Sequence, residues 1–563
     1  MYNNKHKIRF FHEKNTETEA QYMPQQIQSI RLFADADQLN PLLNPGECVK
    51  LHVIATDRNG TETELNPEEV RFCAETQFAS GVRDIARISP EGIVEPLAGG
   101  LLQVTASCFS GGSLLTAKTK LVIRPFWREY HKTLTYKLFL CMEPWGTKTK
   151  GAEKNPVYLT FAEAAKVMEC IDRITCGVPK ICYLVGWQTG GHDHGFPSFS
   201  EVNPKLKREE DDLAVDSLRW LMREGKRFNT DVSLHINLWD AYSDSPLWEH
   251  YAANHLLHEN EAGEIVYEDE KHHMYGSGVK LSHVIQSRLW QSGEFHKRME
   301  ELMSMLPELT DSHTIHIDNW QANHEPAPGV TRADEEQAIR DMILWLRERG
   351  LDATSEGSFH GRSEPMTGLQ PMCWWDTPYS PDVMPPSLYF GGRAKRRDYD
   401  PRLPDGIHIE DLILGNLDHG YDPCDGIQEE FALYALPSII MNYRTLLDFD
   451  GETAVYSDDL TATVQNGVPV IQEQESCFRY GSTVFFPLPW KREMEIFFYS
   501  KRETAMDFRL PATWDDVTAV DIYDLHRFGQ REPVLIAENK QISGGKISLN
   551  VRGRTAYLIR PHK

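Results

Sequence analysis

The strongest constraint on the fold is a rhythm in the middle of the chain, where strand-like and helix-like segments alternate over roughly 300 residues. Its clearest instance spans residues 313–359. HTIHIDNW alternates between polar turns, as a buried strand does, and ends on Asp318, Asn319 and Trp320. After a polar loop, Ile339, Met342, Ile343 and Leu346 recur at helical spacing. Thr331 is the expected N-cap, with Asp334 three residues on, and Gly350 stands where a glycine ends a helix. LDATSEGSF then makes a second short strand leading to Ser355, Glu356 and Gly357. Such a strand–helix–strand unit makes its strands parallel neighbours, with one carboxylate at each exit.

The alternation extends on both sides. TYKLFLC, KICYLVGW and DVSLHINLWDAY are expected as the first three strands, and the unit above supplies the fourth and fifth. GLQPMCWWD is the expected sixth, IEDLILGN the seventh, and PSIIMNY the closing eighth. TFAEAAKVMECIDRI is an intervening helix, with Thr160 and Glu163 as a capping box. The fold expected is multidomain, with a central (β/α)8 TIM barrel over residues 127–445. Residues 1–24 are a polar arm. Residues 25–126 carry short alternating runs separated by RNGT, SPEG, AGG and SGG, which predict an Ig-like β-sandwich. Alternating strands return over residues 446–563 as a C-terminal β-sandwich.

Composition narrows the function. The net charge of −24 disfavours nucleic acid and anionic membranes as partners. Ten cysteines without CxxC pairs indicate neither a zinc site nor a disulfide framework. With no signal-like apolar run at the N-terminus, a cytoplasmic location is expected. No GxSxG elbow, P-loop or GxGxxG after a strand is present, so no cofactor is expected and none of those chemistries is supported. The oligomeric state is left open. Thirteen tryptophans and 21 tyrosines suit a carbohydrate partner, because sugar rings stack on aromatic faces.

In a barrel, chemistry gathers where the strands end. The second strand leads to Trp187 and Gln188, then to the GGHDHG turn with His192, Asp193 and His194. The third leads to His235, Asn237, Trp239 and Asp240; the fourth to Asp318, Asn319 and Trp320. Glu356 follows the fifth, and Trp374, Trp375 and Asp376 the sixth. Carboxylates, amides and imidazoles bind hydroxyls, and indoles stack on ring faces. Adjacent parallel strands would set Asp318 and Glu356 roughly 5 Å apart, the spacing of a nucleophile and an acid/base in a retaining glycosidase. The plainer reading is that both carboxylates cap loops. A rival reading has His192, Asp193 and His194 join His235 and Asp318 around a divalent metal, although neighbours on an extended loop point to opposite sides.

YLVGWQTGGHDHGFPSF followed by VSLHINLWDAY resembles the core of glycoside hydrolase family 101, the endo-α-N-acetylgalactosaminidases, and the related family 129 of α-N-acetylgalactosaminidases. The resemblance spans residues 130–563 and is strongest over 180–245 and 313–359. It implies Asp318 as nucleophile and Glu356 as acid/base. It further implies His192 and Asp193 as binders of sugar hydroxyls, with Asn237 near the same pocket. ARISPEGIVEPLAGGLLQVTASC similarly resembles bacterial immunoglobulin-like domains of the type-2 group. One departure bears on substrate: EIVYEDEKHHMYGSGVKL lacks the Trp-x-Trp of the family-101 lid. The implied activity is retaining hydrolysis of α-linked N-acetylgalactosamine, or a related galacto-configured sugar, from a small glycoside or glycopeptide. A non-catalytic carbohydrate-binding protein and a metal-dependent hydrolase are the alternatives.

Overall fold

The computed structural model describes residues 27–34, 42–43, 48–79, 85–97, 100–123, 127–142, 155–268, 279–355, 369–371, 399–404, 409–525 and 533–563. At its centre lies a parallel sheet whose strands follow one another in chain order. These are β1 (Leu134–Phe139), β2 (Lys180–Val185), β3 (Thr230–Ile236), β4 (Thr314–Ile317), β5 (Asp352–Ser355) and β6 (Leu369–Pro371). Every residue of β1, β2, β4 and β5 is buried, as expected where helices cover a parallel sheet. α1 (Phe161–Ile174), α2 (Ala214–Gly225), α3 (Gln286–Gln291), α4 (Glu294–Met305) and α5 (Arg332–Glu348) connect the strands.

Local chemistry sets where the helices begin. The Thr160 hydroxyl accepts from the Glu163 N–H, while the Glu163 carboxylate accepts from the Thr160 N–H at 2.8 Å. Thr331 and Asp334 repeat this box at α5, whose inner face carries Ile339, Met342, Ile343 and Leu346. The Glu335 carboxylate lies beside them, fully buried. It accepts the Gln286 and Ser287 N–H groups at 3.0 and 2.9 Å, tying α5 to the start of α3. Burial raises its pKa.

Two expected barrel strands are helices. IEDLILGN lies in a helix, Glu410–Asp418. Ile409, Ile413 and Leu417 recur four apart, and the buried Ile409 and Ile413 share the central core. PSIIMNY lies in the helix Leu436–Asn442, which continues Ile427–Glu430 through a π-helical turn at Phe431–Ala435. Each of its seven residues is buried, so no amphipathic period betrays it. Six parallel strands are present among the described residues; Glu356, Trp374, Trp375 and Asp376 lie outside them.

Ahead of this sheet, two smaller sheets share a core of Leu32, Val53, Val94, Leu102, Val104 and Leu121. After it comes a ten-stranded sheet running from Leu446–Phe449 to Val534–Gln541, antiparallel between neighbours. Tyr456, Phe486 and Phe497 on one face join the central core. The other face packs Phe485 and Phe498 against Phe508 of a two-stranded sheet.

The N-terminal end of the parallel sheet holds the chain segment that enters it. Asp352, the first residue of β5, accepts the Trp127 and Arg128 N–H groups at 2.8 and 3.0 Å. Arg128 also pairs with Asp231 and donates to the Ser312 carbonyl at 2.7 Å. Burial pushes the Asp352 carboxyl up to about 7, against the pull of those two N–H groups. Between about pH 4, where an unfolded Asp has released its proton, and pH 7, the folded protein holds one proton more than the unfolded chain. Stability from this group is therefore complete below pH 4 and lost as pH rises to 7. Denaturant unfolding across that range is expected to show wild type losing stability relative to Asp352→Asn as pH rises.

Candidate active site

Side chains alternate across a strand, so residues in register on neighbouring strands share a face. His235 pairs with His316, and Ile317 with Ser355. His235, His316 and Asp318 therefore stand on one face of the sheet. His235 Nε2 lies 3.4 Å from Asp318 Oδ2, and the His235 and His316 rings are 5.1 Å apart. Lys137, on β1, is 1% exposed and acts electrostatically on all three. Burial alone would raise the Asp318 carboxyl. The facing His235, with His192 and the Lys137 ammonium, outweighs it and holds the carboxyl well below the ordinary carboxylate range. Burial lowers His235 in turn, against the pull of the facing Asp318 carboxylate.

The GGHDHG turn folds onto the end of β1. His192 N–H donates to the Cys141 carbonyl at 2.9 Å, and a Cβ on Gly186 would come within 1.9 Å of the same oxygen. Gly186 also has φ +72°, so the close approach and the backbone both require glycine. Gln188 Nε2 donates to the Gly191 carbonyl at 2.7 Å and braces the turn from within. His192 thereby reaches His235, edge to face at 5.1 Å, with Asp193 Oδ1 3.3 Å from its Nδ1. His194 turns elsewhere, with Nδ1 2.9 Å from Asp244. The three loop residues do not converge on one point; His192, His235 and Asp318 do, with ligand atoms within 4.8 Å of one another.

Asn237 and Asp240 complete the rim. Asn237 Oδ1 accepts the Trp239 and Asp240 N–H groups at 2.8 and 2.7 Å. Its Nδ2 therefore faces the carboxylates, 2.8 Å from Asp240 Oδ2 and 3.4 Å from Asp318 Oδ2.

Two tryptophans expected at the sugar lie behind the site instead. Trp187 is wholly buried and donates to the His235 carbonyl at 3.0 Å. Trp320 is 1% exposed and donates to Gln286 Oε1 at 2.8 Å, while Gln286 Nε2 holds the Leu238 and Val284 carbonyls. Both stiffen the backbone that carries site residues, but neither offers a ring face. Trp239 is half-buried, stacked on His283 at 3.8 Å. Asn319, at φ +38°, is half-exposed beside Asp318.

Sequence reasoning missed Lys137, His316 and His283. A lysine inside the apolar run TYKLFLC was a usable signal, since lysine is rarely buried without a charge to balance. His316 was visible as well, two residues before Asp318 on an alternating strand.

Comparison with known proteins bears out the resemblance over part of the chain. Residues 149–351 match glycoside hydrolase family 101, described as endo-alpha-N-acetylgalactosaminidase. No curated protein matches. Among solved structures, the α-N-acetylgalactosaminidase NagBb from Bifidobacterium bifidum, in its GalNAc complex, is 10% identical, with TM-score 0.43 over 80% of this chain and 92% of that one. Its ligand-free form is 10% identical, with TM-score 0.42 over 78% and 91%. An α-amylase from Geobacillus thermoleovorans complexed with acarbose is 11% identical, with TM-score 0.38 over 77% and 99%. The family match and the polar rim together support a glycoside hydrolase.

The tight seat of the turn is open to test. Gly186→Ala is expected to destabilise the protein by about 3 kcal/mol or more in denaturant unfolding, because the displaced atom is a backbone carbonyl.

Proposed function

We propose that this chain is a retaining α-glycoside hydrolase that releases α-linked N-acetylgalactosamine, or a related galacto-configured sugar, from a small glycoside or glycopeptide. The observation that carries the reading is Asp318, an ionised carboxylate at the C-terminal end of β4 whose side chain is 13% exposed. A nucleophile must be charged, reachable and stripped of most of its water. Support for its partner is the register. Ile317 and Ser355 are paired, and Asp318 and Glu356 are the residues that follow them. Adjacent parallel strands lie about 4.8 Å apart, close to the roughly 5 Å between carboxyls in retaining enzymes.

In this reading Asp318 attacks the anomeric carbon while Glu356 protonates the departing oxygen. Glu356 then takes a proton from water, which displaces Asp318 and restores the original anomeric configuration. His192 and Asp193 hold sugar hydroxyls at the mouth of the turn. The six sequential parallel strands support a (β/α)8 barrel whose remaining strands come from neither of the two segments found as helices. An immunoglobulin-like module over 25–126 and a β-sandwich over 446–563 would flank it.

A second reading follows from the convergence of His192, His235 and Asp318, a set able to ligate zinc. Asp318 would then be a ligand, with no covalent intermediate. The buried Lys137 ammonium weighs against it, since a divalent cation beside a fixed positive charge is repelled in a poorly screened interior.

Asp318→Asn is expected to lower kcat on an aryl α-glycoside by roughly four orders of magnitude with the fold intact by circular dichroism. Turnover near that of wild type would refute the nucleophile. Glu356→Ala should regain activity in azide and yield an α-glycosyl azide, and NMR of the wild-type reaction should show the α-anomer first. A chelator is expected to leave turnover unchanged; loss of activity restored by zinc would favour the second reading.

A further inference from the structure

His283 lies outside every role given so far, yet it ends a chain of contacts that begins at Asp318. It stands on the strand Leu281–His283, which pairs antiparallel with Asp240–Tyr242 and sets His283 opposite Asp240. Residues directly opposite on such a pair touch. His283 Nδ1 is 3.1 Å from Asp240 Oδ1, and Asp240 Oδ2 receives Asn237 Nδ2 at 2.8 Å. The second hydrogen of that amide points to Asp318 Oδ2 at 3.4 Å.

Each link is constrained in direction. The Asn237 carbonyl oxygen is taken by two backbone N–H groups, so the amide cannot flip. A carboxylate only accepts, so the His283 nitrogen facing Asp240 carries the proton. The His283 ring cannot rotate freely either. It stacks on Trp239 with a 16° interplanar angle, and His258 meets its edge at 5.3 Å. Asn237 and Asp240 are thereby committed to one another rather than to a sugar.

We propose that His283 is a positioning residue: through Asp240 and Asn237 it aims an N–H at Oδ2 of the Asp318 carboxylate, the oxygen that does not attack. This rests on the glycosidase reading for its kinetic consequence, though not for its geometry. In the reaction, the N–H holds Asp318 Oδ2 in place while the other carboxylate oxygen is free to attack. Without His283, Asp240 can turn, Asn237 loses its brace, and Asp318 samples orientations that do not face the substrate. Such a loss acts on the chemical step more than on binding.

Steady-state kinetics on an aryl α-glycoside would compare wild type, His283→Ala and His283→Asn. Asn is the informative substitution because its amide nitrogen sits near the position of Nδ1. For His283→Ala, kcat is expected to fall about tenfold with KM within about twofold, the scale of one lost hydrogen bond. His283→Asn should recover to within about threefold of wild type. Unchanged kcat in His283→Ala, a change in KM alone, or equal impairment of both variants would overturn the proposal. A second measurement needs no turnover: 15N NMR of the histidine side chains at alkaline pH, with His283 assigned from the His283→Asn spectrum. The Nδ1–H tautomer is expected, and an Nε2–H tautomer overturns the relay. If wild type hydrolyses no glycoside, the glycosidase reading falls while the tautomer still decides the relay.

Discussion

A carboxylate inside a sheet must be balanced by its surroundings, and Asp318 imposes that demand on everything around it. Leaving such a charge unpaired costs several kcal/mol, so a neutral protonated acid would otherwise replace it. The balance comes from two strands and a loop: Lys137 on β1, His235 on β3 with Asn237 just past it, and His192 on the GGHDHG turn. Because these groups face one another, the inner face of the sheet is unusually polar. Tyr183 and Tyr130 both meet the Thr314 hydroxyl, and His316 meets that of Thr354 at 2.8 Å. The apolar work of folding is done on the outer face, where Tyr136, Leu138 and Leu184 share a core with the buried faces of the helices.

The two ends of the parallel strands divide the labour. Their C-terminal ends carry the candidate site, where His192, His235 and Asp318 converge. Their N-terminal ends bind the entering chain, with Asp352 holding Trp127 and Arg128. Behind that end lies a layer of buried hydrogen bonds that stiffens it. Trp187 secures the His235 carbonyl, Trp320 secures Gln286, and Glu335 secures the first turn of α3. In the proposed role of Asp318 as nucleophile, such support matters because small errors in placement are costly to rate.

The sequence revealed much of this where local chemistry is decisive. β1 to β5 followed from apolar runs, and α1 and α5 from capping boxes whose partners are three residues apart. It misled where burial is uniform: PSIIMNY has no polar side from which to read a period, and IEDLILGN spans barely two turns. At the site, Asp318, His192 and Asn237 were legible from strand exits. Trp187 and Trp320 were not, because a tryptophan at a strand exit looks the same whether its ring faces the cleft or the core. His283 was invisible for a different reason: its partner Asp240 is 43 residues away and joins it only through strand pairing.

Covalent trapping tests the role of Asp318 most directly. The protein would be incubated with an activated 5-fluoro glycosyl fluoride of galacto configuration, digested, and mapped by tandem mass spectrometry. A nucleophilic Asp318 predicts one glycosyl group per chain, on the peptide containing residues 314–320 and assigned to Asp318 by fragmentation. A label on a different carboxylate, or inactivation without any covalent label, would contradict it.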